Sequence, residues 1–182
     1  MKRFALTLFF LLCLALVANA QYDKDVFNFR GRAALADGKY SEAIGHFNVL
    51  ARLDSTDCWT FFYRGIAKYN LGDLRGAQAD FNTSVRLNPV FTNGYHYRAI
   101  TLSRSGKYDE ALKDLEKALE LRPGLNGLYF SRGVTYFLAQ QFDKAVSDFD
   151  RYIRKEPKDP SAFLNRGASY LFLGDTTKAL ED

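Results

Sequence analysis

The chain has 182 residues, 47% hydrophobic and 25% charged, with a formal net charge of +4 at pH 7. Lys2 and Arg3 carry two of those four units, leaving +2 in alternating signs, so neither nucleic acid nor an anionic membrane surface is an expected partner. Of the two cysteines, Cys13 lies in a leader and only Cys58 in the body, which excludes an internal disulfide in the processed chain and leaves stability to packing.

In chain order the first element is that leader. Lys2 and Arg3 precede an apolar run from Phe4 to Val17, and Ala18-Asn19-Ala20 closes it with a small-x-small site. This is the three-part layout of a secretory signal peptide over residues 1–20, with Gln21 as the expected first mature residue. The run is shorter than the ~20 apolar residues a spanning helix needs, so no membrane span is expected after cleavage and the product is expected to be periplasmic or secreted. Cys13 follows Leu12 in mid-run, where a lipidation site would want a small residue before the cysteine.

After the leader one pattern recurs every 34 residues: Arg30-Gly31, Arg64-Gly65, Arg98-Ala99, Arg132-Gly133 and Arg166-Gly167. Each small residue is followed by an alanine (Ala43, Ala77, Ala111, Ala145, Ala179), and the first four alanines by Phe47, Phe81, Leu115 and Phe149. Pro89, Pro123 and Pro157 close three units. The units are 24–57, 58–91, 92–125, 126–159 and a partial 160–182. In each, a first helix is predicted (Val26–Ala36, Trp59–Leu71, Asn93–Ser105, Gly127–Ala139, Ser161–Leu173), then a turn marked by Gly38, Gly72, Gly106 or Gly174, with Gln140 the exception. Glycine suits a turn that needs positive φ. Second helices follow at Tyr40–Leu53, Leu74–Leu87, Tyr108–Leu121 and Phe142–Lys155, and proline ends them because the residue before it disfavours the helical region. A fixed period of this size means a stacked array, in which no unit buries its own apolar face alone.

The pattern resembles the tetratricopeptide repeat (TPR), a helix–turn–helix unit of the same length. Phe27, Phe61, Tyr95, Tyr129 and Phe163 take the opening aromatic of that repeat, and Tyr136 and Tyr170 its tyrosine, while arginine replaces the usual leucine before the small residue in all five units. The resemblance implies an all-α, right-handed superhelical solenoid of four complete repeats and a fifth, truncated one. It further implies that first helices line a concave face that binds a protein or peptide partner. On that mapping the groove residues are Trp59, Phe62, Tyr63, Asn93, His96, Tyr97 and Phe130, continued by Ser131. The groove is aromatic and mostly neutral, suited to an extended apolar peptide or an amphipathic helix. Family members that grip the acidic tails of cytosolic chaperones use Lys, Asn and Arg there. Here those places hold Asn28, Arg32, Tyr63, Asn93 and Tyr97, so that partner is not expected.

Two columns read as structure. Sixteen residues after four of the arginines stand Asp80, Asp114, Asp148 and Asp182, with His46 in the first unit, so internal ion pairing within or between units is expected rather than a ligand ladder. Glycine inside a first helix costs about 1 kcal/mol relative to alanine, and close approach of the second helix at its alanine is the expected compensation.

No catalytic, cofactor-binding or metal site is expected. His46 and His96 stand on different helices without ligand spacing, and no Ser or Cys has a nucleophile signature. The sequon Asn82-Thr83-Ser84 falls within a predicted helix. The fifth unit stops at Asp182, which leaves three readings: a fragment, an array completed by a partner, or self-association through the uncapped last repeat. The first two readings allow an N-terminal recognition part of a longer enzyme or transport factor, and the third a structural oligomer. In all three, Leu164 and Leu171 are expected to be more exposed than their counterparts in the fourth unit.

Overall fold

The computed structural model describes residues 24–182; the predicted signal peptide lies outside them. Among the described residues the chain forms helices and no strand: α1 (24–36), α2 (Tyr40–Leu53), α3 (Cys58–Asn70), α4 (Leu74–Leu87), α5 (Thr92–Arg104), α6 (Tyr108–Leu121), α7 (Gly127–Leu138), α8 (Phe142–Ile153), α9 (Pro160–Leu173) and α10 (Thr176–Glu181). None of them is long and apolar enough to cross a membrane. Local chemistry sets the boundaries. Asp57 accepts the amides of Trp59 and Thr60 at the start of α3, and Asp159 accepts that of Ser161 at the start of α9, where Pro160 fills the first turn. Asn88 leaves the helical region directly before Pro89.

Each helix packs on the next in sequence, and successive first helices also touch: α3 on α5, α5 on α7, α7 on α9. Among the described residues no second helix touches another. The stack therefore curves, with first helices on the inner face and second helices splayed outside.

Within the turns, Gly38, Gly72, Gly106 and Gly174 take φ between 72° and 84°. Gln140 stands in the same place with φ 59°, so the repeat holds a side chain where glycine is otherwise used, at roughly 1 kcal/mol of left-handed strain.

Gly167 meets the expected neighbour, the Ala179 carbonyl at 3.3 Å from an added Cβ, but Gly31, Gly65 and Gly133 meet a different one. A Cβ on Gly65 would lie 2.7 Å from Cε1 of Phe81, and one on Gly133 would lie 2.8 Å from Cε1 of Phe149. The second-helix alanines are fully buried nearby, but the close approach is to the aromatic four residues later. The third unit confirms the coupling by exchanging both partners: Ala99 replaces the glycine and Leu115 the phenylalanine, in one buried cluster.

Arg64, Arg98, Arg132 and Arg166 pair internally, and three of them in both expected ways. Arg64 donates Nε to Asp80 at 2.9 Å and Nη2 at 2.6 Å, Arg98 makes both bonds to Asp114 at 2.6 Å, and Arg132 bonds Asp148 at 2.7 and 2.8 Å. Arg166 donates Nε to Asp182 at 2.8 Å. The remaining nitrogen reaches back to the preceding unit: Arg64 to Asn48 at 2.9 Å, Arg98 to Asn82 at 3.0 Å and Arg166 to Asp150 at 2.6 Å. Each guanidinium also lies over the aromatic ring one turn earlier, 5.2 Å from Phe61, 5.4 Å from Tyr95, 5.6 Å from Tyr129 and 5.5 Å from Phe163. Arg64, Arg98 and Arg166 each tie their first helix to its own second helix and to the unit before. Leucine could not do this.

The fifth unit differs from the others in exposure. Leu164 is 75% exposed and Leu171 58%, while their fourth-unit counterparts Phe130 and Phe137 are half-buried. The difference is the missing neighbour: Phe130 is covered by its own second helix through Phe149 and Tyr152, and Phe137 packs on Phe172 of the following unit.

Candidate binding groove

The inner face is built by α3, α5 and α7, and the residues expected on it fall into two groups. At the N-terminal ends of α3 and α5 the aromatics form one connected cluster. The Trp59 ring, 44% exposed, stacks on Tyr63 with centroids 5.7 Å apart and meets Phe91 edge-on at 4.5 Å. Tyr63 is half-buried, stacked on Phe47 of the first unit at 5.9 Å, with the Arg32 guanidinium 5.4 Å from its ring. Tyr97 is half-buried between Phe62 and Phe81. Asn93 is half-buried on the first turn of α5.

Phe62 is a correction. It was expected to face a ligand, yet it is only 4% exposed and belongs to the core cluster with Ala77, Phe81 and Phe91. Phe91 at the end of its own unit and Tyr97 of the next close over the ring at 5.0 and 5.3 Å.

His96 is occupied by the fold. Its Nε2 lies 2.7 Å from Oγ of Ser131, joining α5 to α7, and burial holds its pKa down to about 4, so the imidazole is neutral near pH 7. Phe130 is half-buried against Phe149 and Tyr152.

A second group surrounds a cavity of about 300 Å³ between the C-terminal halves of α5 and α7 and the end of α3, lined by Tyr69, Ile100, Ser103, Arg104, Phe130, Ser131, Val134, Thr135 and Leu138. Phe130 and Ser131 are the two expected groove residues in this lining. The rest sit one to two turns further along each helix than expected. Ser103 and Thr135 hydrogen-bond to each other at 2.8 Å, and the Thr135 hydroxyl donates to the Ser131 carbonyl. Among the described residues every buried side-chain polar atom has a partner. The walls are therefore apolar with satisfied hydroxyls at the base, and one cation stands at the rim, Arg104, 5.1 Å from the Tyr69 ring. The signal for these residues was in the sequence: Ile66, Ile100 and Val134 repeat at the same 34-residue interval as the arginines.

Inner first helices, outer second helices and a groove along the inside define the molecule as an α-solenoid. Family models described as tetratricopeptide repeat match residues 92–125 and 130–182. The chain belongs to the tetratricopeptide repeat family, and its fold is the right-handed superhelical solenoid of that family.

Solved structures similar to it include MamA (residues 41 to the end) from Desulfovibrio magneticus RS-1, at 22% identity over 87% of this chain and 90% of that one, with a TM-score of 0.81. A second MamA structure has 18% identity over 87% of both chains and a TM-score of 0.78. YrrB, described as a TPR protein with an unusual peptide-binding site, has 20% identity over 83% of this chain and 78% of that one, with a TM-score of 0.70. At these identities the likeness is one of fold. No curated protein matches the sequence. A solenoid of this family is a protein-interaction architecture, because stacking creates an extended concave surface rather than a closed reaction site.

Proposed function

We propose that this protein is a non-catalytic interaction scaffold that holds an extended or helical apolar peptide along the inner groove. The observation that carries this reading is the cavity between α5 and α7, with apolar walls and no unsatisfied buried hydroxyl. A ligand gains there by burying apolar side chains, roughly 25 cal/mol per Å² removed from water. Arg104 at the rim offers a donor to a peptide carbonyl or carboxylate. Trp59, Tyr63, Asn93 and Tyr97 form a second stretch of the same inner face, and Phe130 belongs to the cavity itself.

Peptides selected from a display library on the purified protein are expected to carry apolar residues at helical or alternating spacing. Val134→Glu, which puts a carboxylate on the cavity wall, is expected to weaken them at least about tenfold, or 1.4 kcal/mol. Undiminished binding to that variant, measured by fluorescence polarisation, would remove the cavity from the reading. Trp59, the only tryptophan, gives a second readout, since a ligand that extends to it changes its emission.

The reading includes export, on the strength of the charged, apolar and small-x-small order of residues 2–20. Protein recovered from the extracytoplasmic fraction of expressing cells is expected to begin at Gln21. A product that retains Met1 would overturn export by cleavage.

A further inference from the structure

The stretch that closes each second helix changes character in the fourth unit. Residues 151–158 read RYIRKEPK, with four cations and one carboxylate. The same places hold VLARLDST (49–56), TSVRLNPV (83–90) and KALELRPG (117–124), each with one or two cations. Lys155 stands where the earlier units have Leu53, Leu87 and Leu121. Because α8 ends at Ile153, Arg154 and Lys155 lie on the turn beyond it, both exposed.

With Arg151 they line a cleft of about 930 Å³ between the end of α8 and the Pro123–Gly124 turn, with Tyr129 in its wall. The Arg151 guanidinium lies 4.0 Å from the centre of the Tyr129 ring, a stacking distance that holds the group in place and leaves its N–H edges for a ligand. Arg132 lies over the same ring at 5.6 Å, but Asp148 meets its charge. Among the described residues no carboxylate pairs with Arg151, Arg154 or Lys155. The neighbouring acids are engaged: Asp150 by Arg166, and Asp159 by the Tyr152 hydroxyl and the Ser161 amide. Glu156 is the one carboxylate in the lining.

We infer that this cleft seats an acidic, extended segment of a partner protein, with its carboxylates on Arg151, Arg154 and Lys155. Its volume is that of a site for several groups rather than for a single anion. The cations are confined to one cleft of one unit, whereas a nucleic acid would need them in a stripe along the surface. The site shares no lining residue with the inner cavity, so it stands apart from the peptide groove.

The probe is fluorescein-labelled hexaglutamate, titrated with residues 21–182 and followed by fluorescence polarisation. Binding is expected to weaken about tenfold as salt rises from low to physiological, because the contacts are ionic and exposed. Arg151→Gln/Arg154→Gln/Lys155→Gln is expected to lose at least about tenfold in affinity. Arg75→Gln/Arg86→Gln/Lys113→Gln removes the same charge from exposed places elsewhere and is expected to lose less than about twofold. Arg154→Gln/Lys155→Gln leaves the ring stack intact, so its own clear loss separates lost contacts from lost folding. Equal losses in the two triple variants would mean that net charge alone attracts the peptide, and would overturn the inference. So would the absence of binding at low salt, or tighter binding of a DNA oligonucleotide or of phosphatidylserine vesicles than of hexaglutamate.

Discussion

Replacing Asp114 by alanine is expected to destabilise the stack by about 3 kcal/mol. Asp114 is 7% exposed and accepts both Arg98 bonds at 2.6 Å, and this pairing holds the guanidinium above its ordinary pKa range. Without the carboxylate, Arg98 keeps its charge in a site where its side chain is only 21% exposed. The penalty is mainly that of an uncompensated, partly buried cation rather than the net worth of the pair. The double variant Arg98→Met/Asp114→Leu removes both charges and is expected to regain most of the loss, because packed apolar groups replace buried pairs at little net cost. Urea denaturation distinguishes the two halves of the staple. Arg98→Ala also cuts the bond to Asn82 across the seam, so it is expected to lower the m-value by uncoupling units, while Asp114→Ala shifts the midpoint with less change in slope. A loss below about 0.5 kcal/mol for Asp114→Ala would place the pair among ordinary surface ion pairs.

The second large effect is expected at Gly65. Alanine there gains roughly 1 kcal/mol of helix propensity in isolation, yet Gly65→Ala is expected to destabilise the protein by about 2 kcal/mol. The new methyl would stand 2.7 Å from Cε1 and 3.0 Å from Cδ1 of Phe81, a ring with no exposed surface and no room to turn away. Phe81→Leu alone leaves a void and is expected to cost about 1 kcal/mol or more. Combined, the two changes reproduce the native Ala99–Leu115 pair of the third unit, and the double variant is expected to be more stable than either single one. The coupling energy from the four denaturation curves should exceed about 1 kcal/mol. Strict additivity would mean that the glycine column answers to something other than the ring.

Much of this architecture is legible in the residues. The spacing of Arg98 and Asp114 already implies their meeting, because two helices joined by a short turn bring positions 16 apart to one seam. The second helices α2, α4 and α6 occupy their predicted spans, since the glycine turn before each, and the proline after α4 and α6, are local effects that need no tertiary information. One boundary moves although the proline is in register: α8 ends at Ile153, two residues short of the predicted Lys155, with Pro157 in the place of Pro89 and Pro123.

The groove was less legible. Of the residues expected to face a ligand, Phe62 is core, His96 is spent on Ser131, and only Phe130 and Ser131 line the inner cavity. Period and apolar pattern state which face of a helix is buried by its own partner, but exposure on the inner face depends on how far the next unit slides over it. That offset is set by the supercoil, a sum of packing contacts across seams.

The sequence by itself determined the period, the helix order and the arginine–aspartate staple, because each follows from local chemistry repeated in phase. Only the tertiary structure decided that the glycines of the first, second and fourth units face the aromatic and not the alanine, that the open part of the groove lies one to two turns further along α5 and α7, and that Phe62 is closed into the core. Those three outcomes depend on the placement of one helix against another, and that placement comes from ring volumes and seam geometry summed over the whole stack.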